Sequence, residues 1–384
     1  MDSNYVTSTP TVTGGYLYIS GANGGGFYCL NASTGLPIWS YPADYVAAAV
    51  SDGYVYLGVS GLIAALNAST GAKIWRTYFT NVYGNPETGG SPTVADGVVY
   101  LQGYHVLYAL NASTGIQLWK YPNAGSFATS MVPAVADGCV YAATYGRIYA
   151  LKASTGEELW SYPARTQGES SPAVYDGKVF IGVYEDVCAL NALTGALIWN
   201  YTTRSVVSAS PAIAYGMVYV GSWDANIYAF DASTGDRIWN FTTRAGVHSS
   251  PAVADGVVYA SSDDRYLYAL NASTGSLIWK FLTISPSDLY ATHNNMLASP
   301  AVANGNIYIG TNEGNVLAFG NMSNAIPTLS PSTPLSDLQL IVIVAVVVIV
   351  ILAVLFLVYK IRRKGAKSLP HDSEELASDS LRFS

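Results

Sequence analysis

One ten-residue motif recurs seven times along the chain and sets the first limit on its fold. The copies are LNASTGLPIW, LNASTGAKIW, LNASTGIQLW, LKASTGEELW, LNALTGALIW, FDASTGDRIW and LNASTGSLIW. Each copy ends in a tryptophan, and these are Trp39, Trp75, Trp119, Trp160, Trp199, Trp239 and Trp279. A period of 36 to 44 residues is typical of an array whose units bury their cores only against one another.

A second motif precedes each copy and also occurs once after the last copy. Its forms are TPTVTGGYLY, AAAVSDGYVY, SPTVADGVVY, VPAVADGCVY, SPAVYDGKVF, SPAIAYGMVY, SPAVADGVVY and SPAVANGNIY. The sequence therefore predicts eight units, of which the eighth is incomplete. Only nine residues precede Pro10, and the stretch MDSNYVTSTP has no signal-peptide pattern. We expect an incomplete N-terminus that supplies at most a short fourth strand to the eighth unit.

Each unit has the pattern of four short strands. In SPAVADGVVYASSDDRYLYALNASTGSLIWKF, apolar residues rich in Val, Tyr and Ile alternate in short runs that turn residues separate. Asp255 and Gly256 form a two-residue hairpin signal that requires positive φ at both positions. Pro251 suits the start of a strand, where no amide donor is needed. Four strands per repeat predict a propeller blade, so residues 1–320 are predicted to form an all-β, eight-bladed propeller.

The ASTG segment is predicted to be a structural turn between the third and fourth strands. An Asn or Asp side chain before it can accept backbone amides, and its Gly suits a left-handed conformation. Lys152 and Asp231 replace Asn in two units, so the turn does not require the amide. The tryptophan that follows offers a large flat surface for packing against the next blade.

This repeat resembles a known family. The pattern of Ala269, Asn271, Thr274, Gly275 and Trp279 is similar to the tryptophan-docking repeat of the pyrroloquinoline quinone (PQQ)-type propellers, and the resemblance extends over residues 8–320. WD-repeat propellers have a similar period but carry Gly-His and Trp-Asp signatures that this repeat lacks. The resemblance implies the fold, while the function still has to be argued from a site.

The C-terminal part of the chain predicts a membrane anchor. Residues 321–337 are rich in Pro, Ser and Thr and predict a semi-extended stalk. Residues 338–359 are uncharged and apolar over a length that crosses a bilayer core of about 30 Å, which predicts a transmembrane helix. A basic and then acidic tail, residues 360–384, follows and is expected in the cytoplasm by the positive-inside rule. The propeller is then extracellular, on a single-pass protein of the cell membrane.

Composition limits the partners. Charged residues make up 11% of the chain and the net charge is −7, which disfavours nucleic acid. Seven Asn-x-Ser/Thr sequons occur, and four of them belong to the repeated turn. Asn200 and Asn240 on expected outer strands and Asn321 at the stalk are the better glycosylation candidates. Besides the membrane, we expect a protein or glycan partner.

An enzyme has to be considered because relatives of this fold include quinoprotein dehydrogenases. The resemblance implies that such enzymes carry an adjacent Cys-Cys pair over the cofactor and Glu, Asn and Asp around a calcium ion. This chain has three separate cysteines, Cys29, Cys139 and Cys188, which align with core positions. Its four histidines show no metal-ligand spacing. We therefore predict no catalytic residues, no cofactor and no metal.

The links between strands two and three, and the links from one blade to the next, are predicted to lie at the end of the blades opposite the ASTG turns. Their sequences vary strongly among the units. Variation among copies marks positions that are free of the stacking role, and mixed aromatic and charged loops suit a binding surface. The candidates are Tyr104, His105, Tyr145, Arg147, Glu185, Asp186, Trp223, Asp224, Asp263, Asp264, Arg265, His293, Asn312 and Glu313. Three functions compete: a non-catalytic cell-surface binding or scaffolding module, a BamB-like envelope-protein assembly factor, and a PQQ- and calcium-dependent dehydrogenase of alcohols or sugars.

Overall fold

The computed structural model describes residues 9–21, 26–43, 48–59, 61–80, 89–103, 105–122, 131–164, 170–283, 298–311 and 315–320. Within them, 31 strands form eight separate antiparallel sheets. Seven sheets have four strands, and the eighth has three among the described residues. The predicted all-β, eight-bladed propeller is confirmed.

The strands of blades 1 to 4 follow one another along the chain. They are β1 (Thr11–Thr13), β2 (Tyr16–Ser20), β3 (Phe27–Asn31), β4 (Pro37–Tyr41), β5 (Ala48–Ser51), β6 (Tyr54–Val59), β7 (Leu62–Asn67), β8 (Lys73–Tyr78), β9 (Gly89–Ala95), β10 (Val98–Gly103), β11 (Val106–Asn111), β12 (Gln117–Pro122), β13 (Ala134–Ala136), β14 (Cys139–Ala143), β15 (Arg147–Lys152) and β16 (Glu158–Pro163).

The strands of blades 5 to 8 continue in the same order. They are β17 (Ala173–Tyr175), β18 (Lys178–Val183), β19 (Asp186–Asn191), β20 (Leu197–Thr202), β21 (Ala212–Ala214), β22 (Met217–Gly221), β23 (Asn226–Asp231), β24 (Arg237–Thr242), β25 (Ala252–Ala254), β26 (Val257–Ser261), β27 (Tyr266–Asn271), β28 (Leu277–Leu282), β29 (Ala301–Ala303), β30 (Asn306–Gly310) and β31 (Val316–Phe319).

The hairpin between the first two strands of a blade has the conformation that the sequence predicts. Asp255 and Gly256 have φ values of 50° and 75°, and both are positive, as a two-residue turn of this type requires. Asp52, Asp96, Asp137 and Asp176 occupy the same position with φ between 48° and 51°. Aspartate tolerates the left-handed region because its short side chain adds little strain there.

The ring of blades is closed. The first strands of neighbouring blades contact each other in sequence around the ring, and β29 contacts β1. Tyr308 of blade 8 donates its hydroxyl to the carbonyl of Ala32 in blade 1 at 3.2 Å. Tyr219 makes the same bond to Ala272 of the next blade, also at 3.2 Å. Blade 8 therefore packs on blade 1 as the other blades pack on one another.

Each tryptophan of the motif lies on the following blade. The ring of Trp199 is placed so that a Cβ on Gly235 would come within 2.6 Å of it, and its Nε1 donates to the carbonyl of Ala232 at 3.2 Å. The same arrangement joins Trp39 to Gly71, Trp75 to Gly115, Trp119 to Gly156, Trp160 to Gly195 and Trp239 to Gly275. The glycine of the ASTG turn is thus also the seat of the preceding blade's indole.

The residues before the strand-opening prolines link the blades around the inside of the ring. The amide of Ser171 donates to the Oγ of Ser210, and Ser210 donates to the Oγ of Ser250, both at 2.9 Å. Ser250 continues the series to Ser299 at 2.9 Å. Because proline has no amide, the serine before it supplies both the donor and the acceptor of this inner series.

The described part of the chain has no helix that is long and apolar enough to span a bilayer. The predicted stalk, 321–337, the predicted transmembrane helix, 338–359, and the predicted tail, 360–384, lie outside the described residues. Residues 1–8, expected to supply a short strand to blade 8, lie outside them as well.

The indole seat can be tested with two alanine substitutions in blade 6. Gly235 and Gly216 have φ values of 78° and 72°, so alanine at either position costs about 1 to 2 kcal/mol in the left-handed region. A Cβ at Gly216 meets nothing within 4 Å, whereas at Gly235 it overlaps Trp199. We expect Gly235→Ala to cost about 1 to 3 kcal/mol more than Gly216→Ala.

Thermal unfolding of the two variants measures the difference. Hydrogen exchange should also show faster opening at the boundary between blades 5 and 6 in Gly235→Ala only. Equal melting temperatures for the two variants would contradict a seating role for this glycine.

Candidate binding face

Two faces of the ring are distinguished by how their loops bond to one another. On the face that we call the turn face, the hairpin between strands one and two bonds to the ASTG turn. The amide of Ala232 donates to the carbonyl of Gly216 at 2.9 Å, and Ala272 donates to Gly256 at 2.8 Å. On the opposite face, the variable face, the link between strands two and three bonds to the link between blades. The amide of Trp223 donates to Val206 there at 2.9 Å.

The polar side chains of the repeated turn are used within the turn. The Oδ1 of Asn271 accepts the amides of Ser273 and Thr274, both at 3.0 Å. Asp231 accepts the same two amides of its own turn at 2.8 and 2.9 Å, and these bonds lower the pKa of its carboxyl. At Lys152 the backbone carbonyl alone receives the turn's amides. The turn is therefore structural, as predicted.

The structure describes ten of the fourteen residues predicted for the variable face. Tyr104, His293, Asn312 and Glu313 lie outside the described residues. The others lie in the links between strands two and three or at the first residue of strand three. Some of their side chains are engaged in holding their own link, and some are partly exposed.

Asp224 and Asp264 are engaged in holding their own links. The Oδ2 of Asp224 accepts the hydroxyl of Tyr228 at 2.6 Å and the amide of Arg204 at 3.0 Å, while its Oδ1 accepts the amide of Asn226 at 3.0 Å. Burial favours the neutral form of this carboxyl, but the hydrogen bonds prevail and lower its pKa. Asp224 thus ties three segments of the blade together.

Asp264 repeats the arrangement one blade later. It accepts the hydroxyl of Tyr268 at 2.5 Å, the amide of Arg244 at 2.9 Å and the amide of Tyr266 at 3.1 Å. These bonds give Asp224 and Asp264 a structural role within their own blades, and their role in binding a ligand stays a prediction.

Other predicted residues are also anchored locally. Asp186 accepts the hydroxyl of Thr202 at 2.5 Å, and Arg147 donates its Nη2 to Ser161 at 3.1 Å. Glu185 contributes its carbonyl to the amide of Thr203 at 2.8 Å. Arg265 lies in the left-handed region, with φ of 74°.

Large aromatic side chains of the links are exposed. Tyr145 is 50% exposed, Tyr184 is 47% exposed and Trp223 is 41% exposed. Trp223 is nevertheless fixed, since its Nε1 donates to the Oγ of Ser208 at 2.8 Å. The variable face therefore presents aromatic surface, and the part of it at Trp223 is held in place.

Trp223 and Asp263 are brought together by a residue that the sequence did not single out for this face, His248. The imidazole stacks on the indole, with 4.5 Å between ring centroids and 19° between planes. Its Nε2 lies 3.1 Å from the Oδ2 of Asp263. Its Nδ1 is buried and has no hydrogen-bond partner among the described residues. The sequence did contain a signal for this residue, because His248 occupies the position that Ser208 has in the preceding link between blades.

The described residues do not fit a calcium-bound quinone. The three cysteines are separate and unpaired, and burial raises the pKa of Cys29 to about 11 and of Cys188 to about 12. Within the described ranges, no group of three or more His, Cys, Asp or Glu side chains is arranged to hold a metal. Of the four carboxylates that could in principle bind calcium, Glu185, Asp224, Asp263 and Asp264, those of Asp224 and Asp264 accept hydrogen bonds on both oxygens.

The glycosylation candidates that the structure describes lie on outer strands. Asn200 is exposed on β20 and Asn240 on β24. The Nδ2 of Asn240 donates to the Oδ1 of Asn226 at 3.0 Å, whereas no side-chain bond is seen for Asn200 among the described contacts. Asn321 lies outside the described residues.

The structural role of Asp224 predicts the effect of Asp224→Asn. Asparagine places an NH2 group where Asp224 has Oδ2. That group is a donor and faces the backbone N–H of Arg204, which is therefore left unpaired at a cost of about 1 to 3 kcal/mol. Because its pKa is lowered in the folded state, the carboxylate stabilises the fold above an unfolded-state pKa of about 3.9 and loses that effect as the pH falls.

We therefore expect Asp224→Asn to lower the melting temperature at pH 7 by more than it does at pH 3. Asp255→Asn, which removes a carboxylate from the turn face, is the control and should change little. A loss that is the same at both pH values would argue against the charged carboxylate as the cause.

Comparison with known proteins agrees with the fold. The sequence profile of the family described as outer membrane protein assembly factor BamB matches residues 44–170, 106–206 and 184–324. No curated protein sequence matches the chain at a significant level.

Solved structures share the architecture at low sequence identity. BamB from Moraxella catarrhalis has a TM-score of 0.65 and 19% identity, over 83% of this chain and 95% of that one. The computationally designed Ika8 protein has a TM-score of 0.68 and 16% identity, over 83% and 96%. Quinohemoprotein alcohol dehydrogenase from Comamonas testosteroni has a TM-score of 0.65 and 16% identity, over 81% and 71%.

These structures share a fold that serves both an assembly factor and an oxidoreductase, so fold alone does not assign the activity. The profile matches together extend from residue 44 to residue 324, well over half of the chain. By its repeats, its blades and these matches, the chain belongs to the PQQ-like propeller family that is described as outer membrane protein assembly factor BamB.

Proposed function

We propose that this protein is a non-catalytic binding or scaffolding module that holds a partner on its variable face. The observation that carries the proposal is the contrast between the two faces. On the turn face one turn recurs and its side chains bond within it. On the variable face the links differ from blade to blade and expose aromatic side chains, of which Trp223 is held by a hydrogen bond.

The composition of the variable face suits recognition of another macromolecule. Tyr145, Tyr184 and Trp223 are exposed in three links, Glu185 shares the link of Tyr184, and Asp263 lies in the link one blade after that of Trp223. Aromatic side chains supply large contact area at low entropic cost, and they are enriched where proteins bind each other. A rigid ring of blades would hold such side chains in a fixed arrangement.

The same proposal places the propeller outside the cell. Its support is the sequence alone: a Pro- and Ser-rich stalk, an apolar stretch at 338–359 and basic residues directly after it. Glycans at Asn200, Asn240 and Asn321 are part of this proposal, since such modification occurs on exported domains.

Two other functions belong to the same fold. A role in envelope-protein assembly, as the family description names for BamB, would also be a protein-binding role and would use a surface of the same kind. A PQQ- and calcium-dependent dehydrogenase would need a quinone and calcium, and the carboxylates of Asp224 and Asp264 are engaged in hydrogen bonds within their own blades.

Capture of partners from native membranes tests the binding role. One variant of the full-length protein combines Tyr145→Ala with Glu185→Gln on the variable face. Its matched control combines Tyr175→Ala with Asp255→Asn on the turn face, where Tyr175 is 44% exposed. We expect the first variant to retain about a tenth or less of the captured partner, since central aromatic contacts dominate such interfaces, and we expect the control to retain it.

Equal capture by both variants would contradict the variable face as the binding surface. In parallel, PQQ and calcium are added to the purified protein, and dye reduction is followed with short alcohols and aldoses. Turnover together with a saturable rise in melting temperature would contradict the binding module and support the dehydrogenase.

The orientation is tested by protease on intact cells. We expect cleavage within 321–337 to release the propeller and to leave the basic tail protected by the membrane. A C-terminal tag reports the tail and an antibody against blade 5 reports the propeller. Removal of the tag with retention of the propeller would reverse the proposed topology.

A further inference from the structure

We propose that Trp223, His248 and Asp263 form a subsite on the variable face for a basic side chain, lysine or arginine, of a partner polypeptide. The inference rests on the proposed function and names the chemistry by which one part of that face would recognise its partner.

The cluster stands in a frame that the chain builds twice. The link 203–210 with the turn 222–226, and the link 243–250 with the turn 262–266, make the same backbone bonds. Thr203 donates its hydroxyl to Ser205, as Thr243 does to Ala245. The amide of Asp263 donates to Gly246 at 2.9 Å, as that of Trp223 does to Val206. The two copies therefore share one backbone framework, and the differences between them lie in their side chains.

Three of these differences fit one another. In the second copy His248 replaces Ser208, Asp263 takes the place of Trp223, and Gly246 takes the place of Val206. A Cβ on Gly246 would lie 3.1 Å from the Nε2 of His248 and 3.4 Å from the Oδ2 of Asp263. The glycine has no positive φ, so its use here is the space that it leaves. The imidazole and carboxylate have room because a side chain is missing beside them.

The indole of Trp223 offers a π surface and little else to a ligand. Its N–H is bound to Ser208, and the imidazole of His248 covers part of the ring. The side chain is still 41% exposed. Because the only donor of the indole is already bound, a ligand meets the π face. An aromatic π face attracts cations through its quadrupole, and that of tryptophan does so best.

The carboxylate of Asp263 adds negative charge to the cluster. The carboxylates of Asp224 and Asp264 accept the backbone amides of Arg204 and Arg244 and the hydroxyls of Tyr228 and Tyr268. Asp263 bonds instead to a histidine and remains 30% exposed. Because His248 contacts both the indole and the carboxylate, a long basic side chain can meet the two together.

The geometry favours binding over proton transfer at this cluster. The nitrogen of His248 that is not engaged by Asp263, Nδ1, is buried with no solvent-accessible surface of note. A general base must lie within hydrogen-bond reach of the proton that it removes, and a ligand on the surface does not reach this atom. The imidazole therefore supports the indole and the carboxylate in place.

The test uses the full-length protein in detergent and calorimetric titration with acetylated, amidated Gly-Lys-Gly and Gly-Arg-Gly. Peptides with norleucine or citrulline at the central position are the neutral controls, and methyl glycosides represent a glycan ligand. We expect the basic peptides to bind at least fivefold more tightly than the neutral ones, and to bind more weakly as salt is raised. Trp223→Leu and Asp263→Asn should each weaken binding about two- to fivefold.

Tyr175→Leu and Asp255→Asn on the turn face are the matched controls and should bind as the unmodified protein does. Asp263→Asn retains an oxygen for His248, so it keeps the test valid if Trp223→Leu folds poorly. Equal affinity for the citrulline peptide, tighter binding of a glycoside, no binding, or no effect of either substitution would each overturn the subsite.

Failure of the subsite is distinguishable from failure of the binding module. If partner capture depends on Tyr145 and Glu185 while the peptides do not bind, the module stands and the subsite is wrong. If the peptides bind through Trp223 and Asp263 while capture is indifferent to the variable face, the subsite stands and the proposed module is wrong.

Discussion

The rest of the structure depends on the contact between a motif tryptophan and the glycine of the next ASTG turn, which six of the seven tryptophans make. A four-stranded blade has apolar side chains on both faces and cannot bury them alone, so it must stack on neighbours. The indole fills that boundary, and its N–H pairs with a carbonyl that would otherwise be buried unpaired, as Trp239 does with Ala272 at 2.8 Å. Any side chain at the glycine would push the indole away. The turn sequence is thus fixed by the preceding blade as well as by its own conformation.

This constraint explains why the two faces diverge. The tryptophan, its glycine seat and the alanine carbonyl all lie near the turn face, so that face can change little without loosening a blade boundary. Where the structure describes them, the links at the other end make no contact between an indole and a turn glycine, and they differ from blade to blade. They still have to satisfy their own backbone, and Asp224 and Asp264 do this with the same set of bonds in successive blades. A carboxylate on a variable loop is therefore not automatically free for a ligand.

The sequence predicted what depends on local rules and missed what depends on contacts between links. The number of blades and the positive φ of Asp255 follow from periodicity and turn chemistry. Asp263 and Asp264 are adjacent and look alike in sequence, yet one bonds to His248 and the other to Tyr268. Strand register tells which end of a blade a residue occupies, but not which neighbouring link it touches. The role of Gly246 could not be predicted from the sequence. Gly246 leaves empty the space that the side chain of Val206 occupies in the preceding copy, and the sequence does not show that His248 and Asp263 lie beside that space.

Several groups that could take part in a reaction are inward-facing or already bonded in the part of the chain that the structure describes. The thiol of Cys188 lies in the core, where burial raises its pKa to about 12, and thiolate chemistry requires the opposite. The carboxylates of Asp224 and Asp264 act as acceptors for backbone amides and tyrosine hydroxyls. Trp223 and Asp263 keep a π face and part of a carboxylate exposed. In the binding role that we propose, such groups would attract a ligand without activating it, and a rigid ring would present them at a fixed separation.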